Sequence, residues 1–163
     1  MNTRRNFYAY VSNNGKNDDS DITIPIPTVL DGVTVYYAIP FNSFDNHGIE
    51  GNAFGVTLPK SGAYQINYYV DCFSDVVPAE FSRLAIGLLN SNGYNIISES
   101  VAAVQINTTN NYSVIVHGKK GDQLQIFNVD TINDIVLYND SARRPGVKYP
   151  SMCASMTITY LGC

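Results

Sequence analysis

Tryptophan is absent from this chain and charge is scarce, with Asp, Glu, Lys and Arg making up 15% of its 163 residues, against roughly 25% in ordinary soluble domains. The net charge of −4 excludes the basic footprint that general binding to nucleic acid or an anionic membrane needs, so no nucleic-acid partner is expected. No apolar run approaches the roughly 18 residues of a spanning helix, which argues against membrane insertion. Met1 to Asn6 is polar and lacks the apolar centre of a secretory signal. It reads as a flexible N-terminal tail, 1–6, ahead of a single domain at 7–163. Either export does not use a signal peptide, or the natural N-terminus lies upstream.

Cysteine is limited to Cys72, Cys153 and Cys163. No two stand in C-x-x-C spacing, which excludes a zinc ribbon or a thioredoxin-type motif. The odd number leaves at least one thiol free or cross-chain, and Cys163, last in the chain after a glycine, is the candidate cross-link. Histidine is limited to His47 and His117. His47 lies in Asp45-Asn46-His47-Gly48, expected to be a loop, and His117 ends a strand before a glycine. Neither has the clustered histidine and carboxylate of a transition-metal site. No G-x-S-x-G elbow, P-loop, dinucleotide glycine run or H-E-x-x-H occurs. The expectation is therefore no catalytic residue, no metal and no cofactor. Asp18-Asp19-Ser20-Asp21 offers hard oxygens of the kind calcium takes, but a solvated acidic loop accounts for it better. Glycosylation sequons begin at Asn107, Asn111 and Asn139, a number expected by chance in so Asn-rich a chain.

What fills the chain instead is neutral polar residues and aromatics, the latter being twelve Tyr and seven Phe, which suit a pleated, half-buried surface. Period-2 alternation recurs and no long stretch holds helical spacing. Phe7, Ala9 and Val11 open a short strand closed at Asn13-Asn14-Gly15. Ile22, Ile24 and Ile26 alternate with Thr23, Pro25 and Pro27, and the prolines confine that segment to an edge or an extended arm. Val33, Val35, Tyr37 and Ile39 follow Asp31-Gly32. In the clearest strand Tyr64, Ile66, Tyr68 and Val70 share one face, while Gln65, Asn67, Tyr69 and Asp71 share the other. Leu84, Ile86 and Leu88 come next, and Asn92-Gly93 turns the chain toward Tyr94–Ser98. Further strands are expected at 101–106, 112–116, 124–129, 135–138 and 154–160. Nine to eleven short strands separated by turns mean an all-β sandwich or barrel.

The segment from Asn139 to Ser151 gathers Arg143, Arg144, Lys148 and Tyr149, three of the ten basic residues among them, with two of the seven prolines. A long connector without its own structure is often functional. It is a candidate partner-binding loop for an acidic or glycan partner, though a plain connector across the end of a sandwich explains it better.

Four passages resemble the trimeric heads of the tumour necrosis factor and complement q-subunit superfamily. They are Phe7-Tyr8-Ala9-Tyr10 with Ser12-Asn13; Ile39-Pro40-Phe41-Asn42; Phe54-Gly55-Val56-Thr57-Leu58-Pro59-Lys60-Ser61-Gly62-Ala63-Tyr64-Gln65-Ile66; and the pair Lys120-Gly121-Asp122-Gln123-Leu124 and Ala154-Ser155-Met156-Thr157-Ile158. The likeness spans 7 to 162 and is greatest to the C-terminal heads of bacterial collagen-like exosporium (spore-surface) glycoproteins, although no Gly-X-Y stalk is present. It implies a ten-stranded, TNF-like jelly-roll sandwich that assembles as a homotrimer. Tyr64, Ile66, Tyr68, Met156, Ile158 and Tyr160 would fill its core. Gln65, Asn67, Tyr69, Ser113, Ile115, Thr157 and Thr159 would form the trimer interface, a wetter one than usual because Asn67, Ser113 and Thr157 are polar. The implied role is a non-enzymatic structural trimerisation head, extracellular or on the spore surface, with itself and other spore-coat or surface proteins as partners. The alternative is a receptor- or glycan-binding head such as an adhesin, a cytokine-like ligand or a phage-type receptor-binding module.

Overall fold

The structure, a computed structural model, describes residues 7–15, 21–72, 81–106, 108–140, 146 and 151–163. Fifteen strands lie among them. The first seven are β1 (Tyr8–Asn13), β2 (Ile22–Ile24), β3 (Thr28–Leu30), β4 (Val33–Val35), β5 (Ser43–His47), β6 (Glu50–Asn52) and β7 (Gly55–Thr57). Then come β8 (Gly62–Asp71), β9 (Phe81–Asn90), β10 (Gly93–Ile96), β11 (Ala102–Gln105), β12 (Thr109–Gly118), β13 (Gln123–Asn128), β14 (Ile135–Leu137) and β15 (Ala154–Gly162).

The pairing is that of a jelly roll. One sheet runs β12-β8-β15-β1-β5 and the other β10-β9-β13-β7-β6, with β11 following β10 along the same edge of β9. Every pairing is antiparallel. Neighbours in each sheet are mostly distant in sequence, so long connections cross the ends of the sandwich.

Alternation explains the core between the sheets. Tyr64, Ile66, Tyr68 and Val70 of β8, Met156 and Ile158 of β15, and Ala9 and Val11 of β1 are all buried. They join Leu84, Ile86 and Leu88 of β9 and Leu124 and Ile126 of β13 in one hydrophobic cluster. Each large aliphatic side chain enclosed this way contributes about 1.5–3 kcal/mol of transfer free energy. Tyr160 departs from the expected core: it is only partly buried against the cluster. Its hydroxyl donates to the Ser61 carbonyl at 3.2 Å, because β15 shifts register between Tyr160 and Gly162 as it leaves the sandwich.

Smaller pieces close the second sheet. Ala38 bridges to Phe127, and Tyr36, Tyr94 and Phe127 pack as an aromatic group with ring centroids 5.4–6.0 Å apart. Among the described residues strand β2 pairs only with β14, in keeping with the prolines that follow it. Asn128 ties this small sheet down, its side-chain amide donating to the carbonyls of Ile24 at 3.0 Å and Asn133 at 3.1 Å. The segment expected as one strand from Val33 to Ile39 is instead shorter: β3 and β4 form a separate hairpin.

A polar face on the five-stranded sheet

The outward residues of β12, β8, β15, β1 and β5 align in rows across the sheet. One row reads Ile115, Gln65, Thr159, Tyr8 and His47; the next reads Ser113, Asn67, Thr157, Tyr10 and Asp45. A third reads Asn111, Tyr69, Ser155, Ser12 and Ser43. With strands spaced about 4.8 Å apart, five of them span roughly 20 Å. All seven residues expected on this face, Gln65, Asn67, Tyr69, Ser113, Ile115, Thr157 and Thr159, therefore stand together on it. The centre is a shallow depression of about 350 Å³ whose walls include Asn67, Tyr69, Asn111, Ser113, Ser155 and Thr157. Ile115 is its large exposed aliphatic residue.

Charge is confined to the margins. On β12, β8 and β15 the outward positions carry no Lys, Arg or Glu, and Asp71 stands at the end of β8. Burial raises the Asp71 carboxyl above the ordinary carboxylate value. The Tyr69 hydroxyl is raised by burial first and by the Asp71 charge second, against a hydrogen bond to Thr109 that lowers it. At the opposite margin His47 contradicts its expected loop placement. It ends β5, stacks on Tyr8 with centroids 4.2 Å apart, and meets the Asp45 carboxylate at 2.9 Å. Sequence reasoning missed β5 because Ser43-Phe44-Asp45-Asn46-His47 has no apolar alternation and is exposed throughout. Tyr8 and Tyr10 were open to discovery, since they alternate with the buried Ala9 and Val11.

Cys163 lies away from the centre, exposed, with its sulfur 3.4 Å from the Tyr160 hydroxyl. That contact is the main cause raising the Tyr160 hydroxyl. Cys72 and Cys153 are buried. Arg143, Arg144, Lys148 and Tyr149 lie outside the described residues, as do Met1 to Asn6, Asp18, Asp19 and Asn107. Asp21 is described, and its carboxylate accepts the Asn139 backbone N–H at 3.1 Å. Among the described residues no three His, Cys, Asp or Glu side chains converge as a metal site. Of the sequons, Asn139 is buried and closed to a glycan, whereas Asn111 opens onto the polar face.

No family model matches the chain, and no curated protein does so by sequence. Solved structures do match over nearly their whole length. A structure of Eiger TNF from S. frugiperda aligns with TM-score 0.56 at 12% identity, covering 98% of this chain and 94% of that one. Murine APRIL at pH 5.0 aligns with TM-score 0.55 at 10% identity, covering 96% and 99%. The PRD1 vertex protein P5 aligns with TM-score 0.50 at 12% identity, covering 97% and 98%. At such low identity the likeness defines the architecture: this is a TNF-like jelly-roll sandwich.

Proposed function

We propose that the chain is a non-enzymatic head that self-associates through the polar face of its five-stranded sheet, as a homotrimer displayed outside the cell. The observation that carries this reading is the face itself: a broad, ordered array of small neutral side chains and tyrosines with charge kept to its margins. A face whose centre is free of charge costs less to desolvate against another copy than a charged one, provided that its amides and hydroxyls are paired across the contact. Closed association also buries the face and lends kinetic stability to an exposed head. The fold likeness supports the architecture of such a head. Placement on a spore surface, or exosporium, rests on the resemblance of the sequence passages alone. No helix among the described residues is long and apolar enough to cross a membrane.

Solution mass by light scattering tests the proposal, with and without reductant. A mass near three times 17.9 kDa, unchanged by reductant, is expected. Thr157→Lys, which places an ammonium group in the middle of the face, is expected to abolish the three-chain species while leaving the circular dichroism of the fold intact. A wild-type monomer overturns the reading.

A further inference from the structure

Two surface features away from the polar face carry complementary chemistry. The first is the tip of the β3–β4 hairpin. Its strands pair Thr28 with Val35, Val29 with Thr34 and Leu30 with Val33. Asp31 and Gly32 form the two-residue turn, with φ of 50° and 79°, the left-handed pair that such a tight hairpin demands. Turn geometry explains Asp-Gly but not its neighbours. Val29, Leu30 and Val33 are all exposed, Leu30 by 59%, and Leu30 and Val33, being register partners, share one face of the tip beside an exposed carboxylate. The stem beneath is fixed: the Thr28 and Tyr37 hydroxyls lie 3.0 Å apart, and the Ile26 N–H donates to the Asp134 carboxylate at 2.8 Å.

The second feature is a pocket of about 640 Å³ at the start of β9, lined by Phe81, Arg83, Ala103, Asp130, Ile132 and Asn133, with Ser82 beneath. Arg83 and Ala103 are register partners on β9 and β11, and Phe81 stands two residues earlier on the same face. Ile132, 78% exposed, closes the pocket from the β13–β14 connection. Asp130 is already engaged, its carboxylate accepting the N–H groups of Ile132 and Asn133 at 2.8 and 3.2 Å. Arg83 has no ion pair among the described residues. The pocket thus offers apolar walls, one cation without an ion pair among the described residues, and one carboxylate held by the N–H groups of its own loop. The tip offers apolar side chains and one carboxylate, and it does not line its own chain's pocket.

We propose that the hairpin tip of one copy docks into the Phe81–Ile132 pocket of a second copy, with Leu30 and Val33 against the apolar walls and Asp31 facing Arg83. Burying a large exposed apolar patch is the usual reason to carry one, and the charge pair fixes the orientation of entry. A single tip covers less than the roughly 1,600 Å² of a standard interface, so this contact reinforces an assembly or links assemblies. It involves none of the residues of the polar face.

The test is a Leu30→Cys/Ile132→Cys double variant in a Cys163→Ser background, mildly oxidised and run on a non-reducing gel. Disulfide-linked oligomers are expected from the double variant and from neither single variant. An intrachain disulfide alone, no cross-link, or equal cross-linking by a Leu30→Cys/Val101→Cys control overturns the proposal. Sedimentation equilibrium gives an independent reading. Asp31→Arg and Arg83→Asp should each weaken self-association roughly fivefold, and the two together should restore it. Both sites are exposed, and circular dichroism checks that the fold survives. Absence of restoration overturns the charge pairing. Adding Thr157→Lys separates the two surfaces: it removes association through the polar face and should leave the hairpin cross-link in place.

Discussion

The rings of Tyr68 and Tyr112 lie 5.2 Å apart in adjacent strands, yet their hydroxyls have opposite fates. That of Tyr112 donates to the Ala103 carbonyl. That of Tyr68 is enclosed and meets no hydrogen-bond partner among the described residues, and burial raises it well above the ordinary tyrosine value. Tyr68→Phe keeps the ring and removes an unpaired buried hydroxyl, so it should stabilise the fold by about 1 kcal/mol. Tyr112→Phe should cost a similar amount by leaving the Ala103 carbonyl without its donor. Denaturant unfolding at one protein concentration checks both signs, the fixed concentration being needed for a chain that self-associates.

Asp71 supplies a pH dependence. Its folded-state value is raised from 3.8 by burial, so the folded chain holds this proton to higher pH than the unfolded chain does. Between the two values the native state binds more protons, and stability falls as pH rises through that window. Above it the full penalty persists. Asp71→Asn should therefore match the wild type in acid below the ordinary carboxylate value and become the more stable of the two at neutral pH. A pH series of melting curves that keeps the two proteins parallel would refute the assignment.

Legibility in the sequence followed alternation. β8 and β15 could be read because their buried residues recur at every second position, and the polar-face residues of β8, β12 and β15 followed as the other half of that alternation. β9 and β13 were legible from the spacing of Leu84, Ile86 and Leu88 and of Leu124 and Ile126, although both strands are buried on both faces over much of their length. β5, β6 and β7 could not. Ser43–His47 is held by its pairing with β1, a long-range partnership that local pattern does not encode. Tyr160 obeys the alternation yet is only half buried, because the bulge near Gly162 turns the strand away from the core. The Asp31-Gly32 turn could be read, but the pocket could not, because Phe81, Ala103 and Ile132 come together only through long-range pairing.

The three thiols should separate cleanly by reactivity. Burial pushes the Cys72 thiol up to about 12, so almost no thiolate forms at neutral pH, and the thiolate is the reactive species. Cys153 is equally buried, with its sulfur 3.3 Å from the Asn13 carbonyl, while Cys163 is exposed. Brief treatment with N-ethylmaleimide at pH 7.5 should add one label to the native chain, mapped to Cys163 by peptide mass spectrometry, and three after denaturation. Rapid native labelling at Cys72 would mean that the end of β8 opens readily.

Two glycines separate steric from conformational cost. Gly93, in the β9–β10 turn, has φ 98° and nothing within 4 Å of where a Cβ would sit. Gly93→Ala should therefore cost only the backbone strain, about 1 kcal/mol. At Gly55 the φ is 157° and a Cβ would lie 2.1 Å from the Leu124 carbonyl oxygen. That oxygen belongs to β13, which is paired on both sides, with β7 and with β9, so it cannot retreat without breaking ladder hydrogen bonds. Overpacking against immobile backbone adds to the strain, and Gly55→Ala should cost roughly 3 kcal/mol. Thermal melts of the two variants should differ in that order. Equal, small losses would show that the β7–β13 pairing is loose enough to yield, and that the second sheet ends at β13 in solution.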